Sequence, residues 1–187
     1  MGKYKEAADM AHRVLLFAPD NVDALLAAGR AHIGGNDAFQ GIAPLQHAAE
    51  LKPRDWQPWS LLGVAYDNTR RPDDAQAAWA KALALSPDNP NVLTNMAMSR
   101  VQAGDFAAAE PLLRTAVAQK GASMQVRQNL ALVLGMQGKM AEAEQLLRQD
   151  LPPAQVEANL QWLQTASQAR VAATGSASFS ARSDDGL

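Results

Sequence analysis

Three histidines, His12, His32 and His47, are the side chains of this 187-residue sequence best suited to holding a metal or moving a proton. A zinc site carried on a helix needs closely spaced ligands or cysteine pairs; these histidines lack that spacing, no carboxylate stands at a telling offset from them, and the chain contains no Cys. The acidic pairs Asp73-Asp74 and Glu142 with Glu144 could share acid and base work. Both sit at helix starts, however, where a carboxylate already complements the helix dipole. Gly34-Gly35 follows helical rather than strand-like sequence and reads as a turn, not a phosphate loop. No nucleophile, base and orienting group come together, so the expectation is a protein that is not an enzyme and carries no metal or cofactor.

A different chemistry is repeated. Asn95 and Asn129 stand 34 residues apart, as do Thr94 and Gln128. An amide donates and accepts at once, so a repeated Asn can clamp the backbone of an extended peptide without reading its side chains.

The elements that would carry these amides are legible in residues 56–89. Trp59, Leu62 and Tyr66 fall three and four apart and share one face of a first helix; Trp79, Ala82 and Leu83 do the same on a second. Gly63 and Ala75 are small where the two backbones must approach. Asp55 and Pro72 are start signals, and Ser86-Pro87-Asp88-Asn89 ends the second helix and caps the next. Pro19, Pro53 and Pro87 recur at 34-residue intervals and fix the register.

With Trp59, Leu62, Gly63, Tyr66, Ala75, Trp79, Ala82 and Pro87 so spaced, the stretch resembles a tetratricopeptide (TPR) unit. The resemblance implies an all-α fold, a right-handed α-solenoid of helix–turn–helix repeats. Repeats are expected at residues 22–55, 56–89, 90–123 and 124–152, preceded by the second half of a truncated repeat at 1–21. A capping helix at 153–170 and a disordered Ser/Ala-rich tail at 171–187 are expected to follow. Residues 22–55 should be the loosest repeat, since Gly34-Gly35 and Pro44 lower helix propensity there. At the N-terminus, Tyr4, Ala8, Ala11 and Leu15 are expected to form an exposed apolar strip, through which the chain would self-associate.

Composition narrows the partners. Hydrophobic residues make up 48% of the chain and the formal net charge is −2, which gives no electrostatic case for nucleic acid or an anionic membrane. No apolar run of about 18 residues exists, so no transmembrane segment is expected. The chain opens on Met1-Gly2-Lys3 directly into helix-forming sequence, without an apolar signal segment, as a fragment of a longer parent would.

In TPR folds the first helices line a concave groove, and the resemblance places Arg30, Ser60, Asp67, Asn91, Thr94, Asn95, Met98, Gln128, Asn129 and Leu132 on it. Four first helices spaced roughly 10 Å apart would accommodate about nine residues of extended peptide. Gln125 and Asn129 stand where carboxylate-gripping TPR grooves carry Lys or Arg, so no such clamp is expected.

The run QVRQNLALVLGMQGKMAEAEQLLRQDLPPAQVEANLQWLQ, residues 125–164, is similar to the end of the TadD family of TPR proteins, which serve assembly of the tight-adherence (Tad or Flp) pilus. The DLPP break is its most distinctive shared feature. That resemblance implies a non-catalytic, pilotin-like scaffold acting on the outer-membrane secretin, located at the periplasmic face of the outer membrane, with a lipid anchor in the full-length parent. The alternative is a cytosolic TPR adaptor or regulatory module cut from a larger protein.

Overall fold

The computed structural model describes the backbone of residues 2–182 and the side chains of residues 2–172. Ten helices and no strand occur among them: α1 (Gly2–Leu15), α2 (Val22–Gly34), α3 (Ala38–Leu51), α4 (Trp56–Asn68), α5 (Pro72–Leu85), α6 (Pro90–Gln102), α7 (Phe106–Ala118), α8 (Met124–Met136), α9 (Met140–Leu147) and α10 (Pro153–Arg182). The fold is the all-α array of helical hairpins read from the sequence. It divides into two compact units, Met1–Ser99 and Arg100–Leu187.

The first helices α2, α4, α6 and α8 start at one interval because the same cap recurs. Asn21, Asp55 and Asn89 each accept a bond through Oδ1 from a backbone N–H of the following turn, at 2.9, 2.9 and 3.0 Å, and Ser123 Oγ accepts from Val126 N at 3.4 Å. The turn within each hairpin is equally regular. It needs one left-handed residue, supplied by Asn36 (φ 63°), Arg70 (φ 59°), Gly104 (φ 77°) and Gly138 (φ 81°). Glycine adopts this conformation freely and Asn tolerates it, whereas Arg70 holds it at some strain.

In the first unit the hairpins lock by placing a small residue opposite a large one. A Cβ on Gly63 would collide with the indole of Trp79, and one on Gly29 with the side chain of Leu45. Trp79 is 3% exposed and its Nε1 donates to the Ser60 carbonyl at 3.2 Å. The core continues through Leu25, Leu26, Leu45, Leu62, Tyr66 and Val92. Helix α3 runs unbroken through Pro44. Gly41 lets it approach α2 closely, since a Cβ there would lie 3.1 Å from the Gly29 carbonyl oxygen.

Helix α1 corrects the sequence reading. Ala8 and Ala11 are buried, and Tyr4 packs against Gly34 of α2. The strip Tyr4, Ala8, Ala11, Leu15 is therefore largely the contact surface with α2 rather than an exposed face. The reason is geometric: these side chains point toward the following hairpin, which the chain itself contains.

In the second unit Glu110 of α7 is a junction. It accepts from Lys139 Nζ at 2.7 Å, Arg114 Nη2 at 2.8 Å and Gln137 Nε2 at 2.9 Å, tying α7 to the turn between α8 and α9. Lys139 foremost, with Arg114 and Gln137, holds the Glu110 carboxyl down at about 2 from 4.5, against burial, which pushes it up. Arg127 of α8 grips Asp150 through a two-pronged pair, its Nε 2.7 Å from Oδ2, while its Nη1 donates to the Ala122 carbonyl at 2.8 Å. Helix α9 stops at Leu147, and α10 begins after Pro152 and buries Val156 and Leu163.

The disordered tail expected from residue 171 is corrected as far as Arg182, because α10 continues to that residue without a break. The remainder of that expectation, residues 183–187, lies outside the described residues.

Trp79→Ala should lower the unfolding free energy by about 3–5 kcal/mol, measured by urea denaturation, since it empties the space opposite Gly63. For Glu110 the depressed pKa contributes stability that is fully present above about pH 4.5 and is lost as pH falls toward about 2. Acid titration of unfolding free energy should therefore slope downward across that window, and less steeply in Glu110→Gln; coincident slopes would contradict the assignment.

Candidate functional site

The residues expected to line a groove divide between the two units. In the first unit Arg30 and Asn91 are exposed, while Asp67, Thr94, Asn95 and Met98 are half-buried. Arg30 Nη2 reaches Gln57 Oε1 at 3.4 Å, and Thr94 Oγ1 turns back on its own helix to donate to the Pro90 carbonyl at 2.6 Å.

Ser60 is corrected: it is 1% exposed and cannot touch a partner. Its hydroxyl accepts from Asn95 Nδ2 at 3.0 Å, and its carbonyl holds the Trp79 indole. Ser60 thus positions the Asn95 amide through one of its two side-chain N–H groups. The Asn95 side chain that covers it comes from the next hairpin, 35 residues on, and no local pattern announces that.

The two repeated asparagines are not equivalent. Asn129 accepts from Gln125 Nε2 at 3.1 Å, on its own helix, and so keeps its donors free where Asn95 has committed one. Gln125 and Asn129 satisfy each other where a carboxylate clamp would need cations.

In the second unit a cavity of about 320 Å³ opens between α8, α9 and α10. Its apolar lining comes from Leu132, Leu147, Leu151 and Leu163, with Gln128, Gln155 and Asn159 supplying amides and Trp162 an indole that is 59% exposed. No charged side chain lines it. The lining thus mixes aliphatic side chains with amides that can both donate and accept. Gln128 and Leu132 were expected here; Gln155, Asn159 and Trp162 were not. The available signal was a tryptophan among glutamines on a helix otherwise read as a cap. Asn129 lies on the same helix as Gln128 but outside this lining.

The histidines meet partners that their spacing hides. His47 Nε2 lies 2.7 Å from Asp20, so the absence of a carboxylate partner inferred from offsets is corrected; the partner comes from the loop before α2. The rings of His12 and His32 are 5.3 Å apart beside a cavity of about 470 Å³ between α1 and α2, and His32 Nδ1 is 3.7 Å from Asp37. Among the described residues no three His, Asp or Glu side chains converge on a metal position, and no helix is long and apolar enough to cross a membrane.

Family models described as tetratricopeptide repeat match residues 56–89 and 94–156. Human tetratricopeptide repeat protein 7B is 30% identical over 118 residues, covering 63% of this chain and 14% of that protein. The peroxisomal targeting signal receptor of Kluyveromyces lactis is 39% identical over 67 residues, 35% of this chain and 12% of the receptor. The chain thus spans about an eighth of the length of these curated relatives. A thermophilic TPR protein from Thermus thermophilus has a similar solved fold, with TM-score 0.72 at 18% identity, covering 87% of this chain and 91% of that one.

Ser60→Ala should cost about 1 kcal/mol of stability. It should also free the Asn95 side-chain amide, seen by NMR as faster exchange of its protons with water; unchanged exchange would mean that Ser60 does not hold it.

Proposed function

We propose that this chain, which belongs to the tetratricopeptide-repeat proteins, is a non-catalytic protein–protein interaction scaffold that holds an extended segment of its partner. The observation that supports the reading is the second-unit cavity, where four leucines and Trp162 stand among three amide side chains with no charged side chain in the lining. A partner segment anchors there by one Leu, Met or Phe side chain, while Gln128, Gln155 and Asn159 bond its backbone. In the first unit Asn95, held by Ser60, offers the same kind of backbone clamp.

The finer reading is a pilotin-like assembly factor of a Tad pilus, with the secretin as partner, working at the periplasmic face of the outer membrane. It rests on the similarity of residues 125–164 to TadD proteins. Structural support is that the two distinctive parts of that run belong together: Arg127 of VRQN grips Asp150 of DLPP, and the break they frame borders the cavity. The second reading, a cytosolic adaptor for a short signal segment, is favoured by the likeness of 67 residues to a targeting-signal receptor.

Purified Tad secretin passed over the immobilised chain tests both levels. Capture is expected, weakened about tenfold by Leu132→Lys and by Asn95→Ala with Asn129→Ala, with helicity unchanged. Failure to capture the secretin sinks the pilus role. Binding of arrayed Leu- or Phe-anchored peptides that ignores Leu132→Lys removes the cavity from the scaffold reading as well.

A further inference from the structure

In the first unit the face that carries the Asn95 amide also holds two charges of opposite sign without ion partners. Gln57, Ser60, Val64 and Asp67 fall three and four apart and form one stripe down α4. Two bonds from neighbouring helices fix what flanks that stripe. Arg30 Nη2 of α2 reaches Gln57 Oε1 at its start, at 3.4 Å, and Asn95 Nδ2 of α6 reaches Ser60 Oγ at 3.0 Å. Asp67 ends the stripe, half-buried, with Val64 half-buried one turn before it. Among the described residues neither Arg30 nor Asp67 takes part in an ion pair, and the one side-chain bond of Arg30 goes to a neutral amide. Asp23, two turns before Arg30 on α2, does not pair with it either.

The separation of these charges sets a spacing. Gln57, where the Arg30 guanidinium rests, and Asp67 are about 15 Å apart along the helix. Four residues of extended chain cover about 14 Å, and positions i, i+2 and i+4 of such a chain point to the same side. We propose that the first unit selects an extended partner segment with an acidic, an apolar and a basic side chain at alternate positions. The carboxylate pairs with Arg30, the apolar group lies on Val64, and the cation pairs with Asp67. This rests on the scaffold reading above and names what its first-unit clamp selects. The Asn95 amide bonds backbone and is indifferent to sequence, so the two charges supply the discrimination. They also orient the segment, because laying it the other way round sets like charges together.

Fluorescence anisotropy of labelled peptides of about nine residues, titrated with the full chain, tests this. The peptides carry Glu, Leu and Lys at alternate central positions, in both chain orders, with a scrambled control. One order is expected to bind above the control, about tenfold more weakly with Arg30→Glu or with Asp67→Lys, circular dichroism being unchanged. A peptide with Lys in place of its Glu should regain binding to Arg30→Glu, and one with Glu in place of its Lys should regain binding to Asp67→Lys, each rescue failing on the other variant. Binding indifferent to both reversals, or reversals that no peptide rescues, overturns the proposal. If neither order binds while Leu- or Phe-anchored peptides still depend on Leu132, the motif falls and the scaffold reading stands.

Discussion

The close approach of two helix backbones at Gly63 is the constraint on which the first unit depends. The Trp79 ring occupies the space a side chain at 63 would fill, and its N–H is satisfied by the Ser60 carbonyl. Gly29 and Leu45 repeat the arrangement one hairpin earlier. In a solenoid each hairpin is stable only through such interfaces, since one hairpin cannot bury both of its faces. A small residue on one helix and a large one on the next therefore do more for this fold than helix propensity, which Pro44 and Gly41 oppose without breaking α3.

That packing reaches the Asn95 amide through one residue. Ser60 bonds Trp79 with its carbonyl and Asn95 with its hydroxyl, so the rotamer of that half-buried amide is set by the core beneath it. A preorganised amide loses less entropy on meeting a peptide than a free one. The second unit reaches a comparable end differently. There the Arg127–Asp150 pair ties α8 to the chain that follows the short α9, and a cavity lies between α8, α9 and α10.

Electrostatics plays a local part. Glu110 gathers Lys139, Arg114 and Gln137 at a helix junction, and its depressed pKa reflects how completely these donors favour the charged form. The exposed pairs, such as Arg148 with Glu144 and Arg71 with Asp74, add little because water screens them.

The sequence by itself determined the all-α class, the 34-residue period, the caps at Asp55 and Asn89 and the need for a small residue at Gly63 where two backbones approach. All of these are local or strictly periodic, and helix geometry converts spacing directly into a shared face. Tertiary structure alone decided the rest. Ser60 is buried because a side chain 35 residues away lies over it; His47 meets Asp20 across a loop; Trp162 joins Leu132 because a proline break redirects the chain. On α1 the sequence supplied an apolar strip, and only the position of α2 decided that it is largely covered. Such pairings depend on where separate helices come to rest, a property of the packed whole that no interval along the chain encodes.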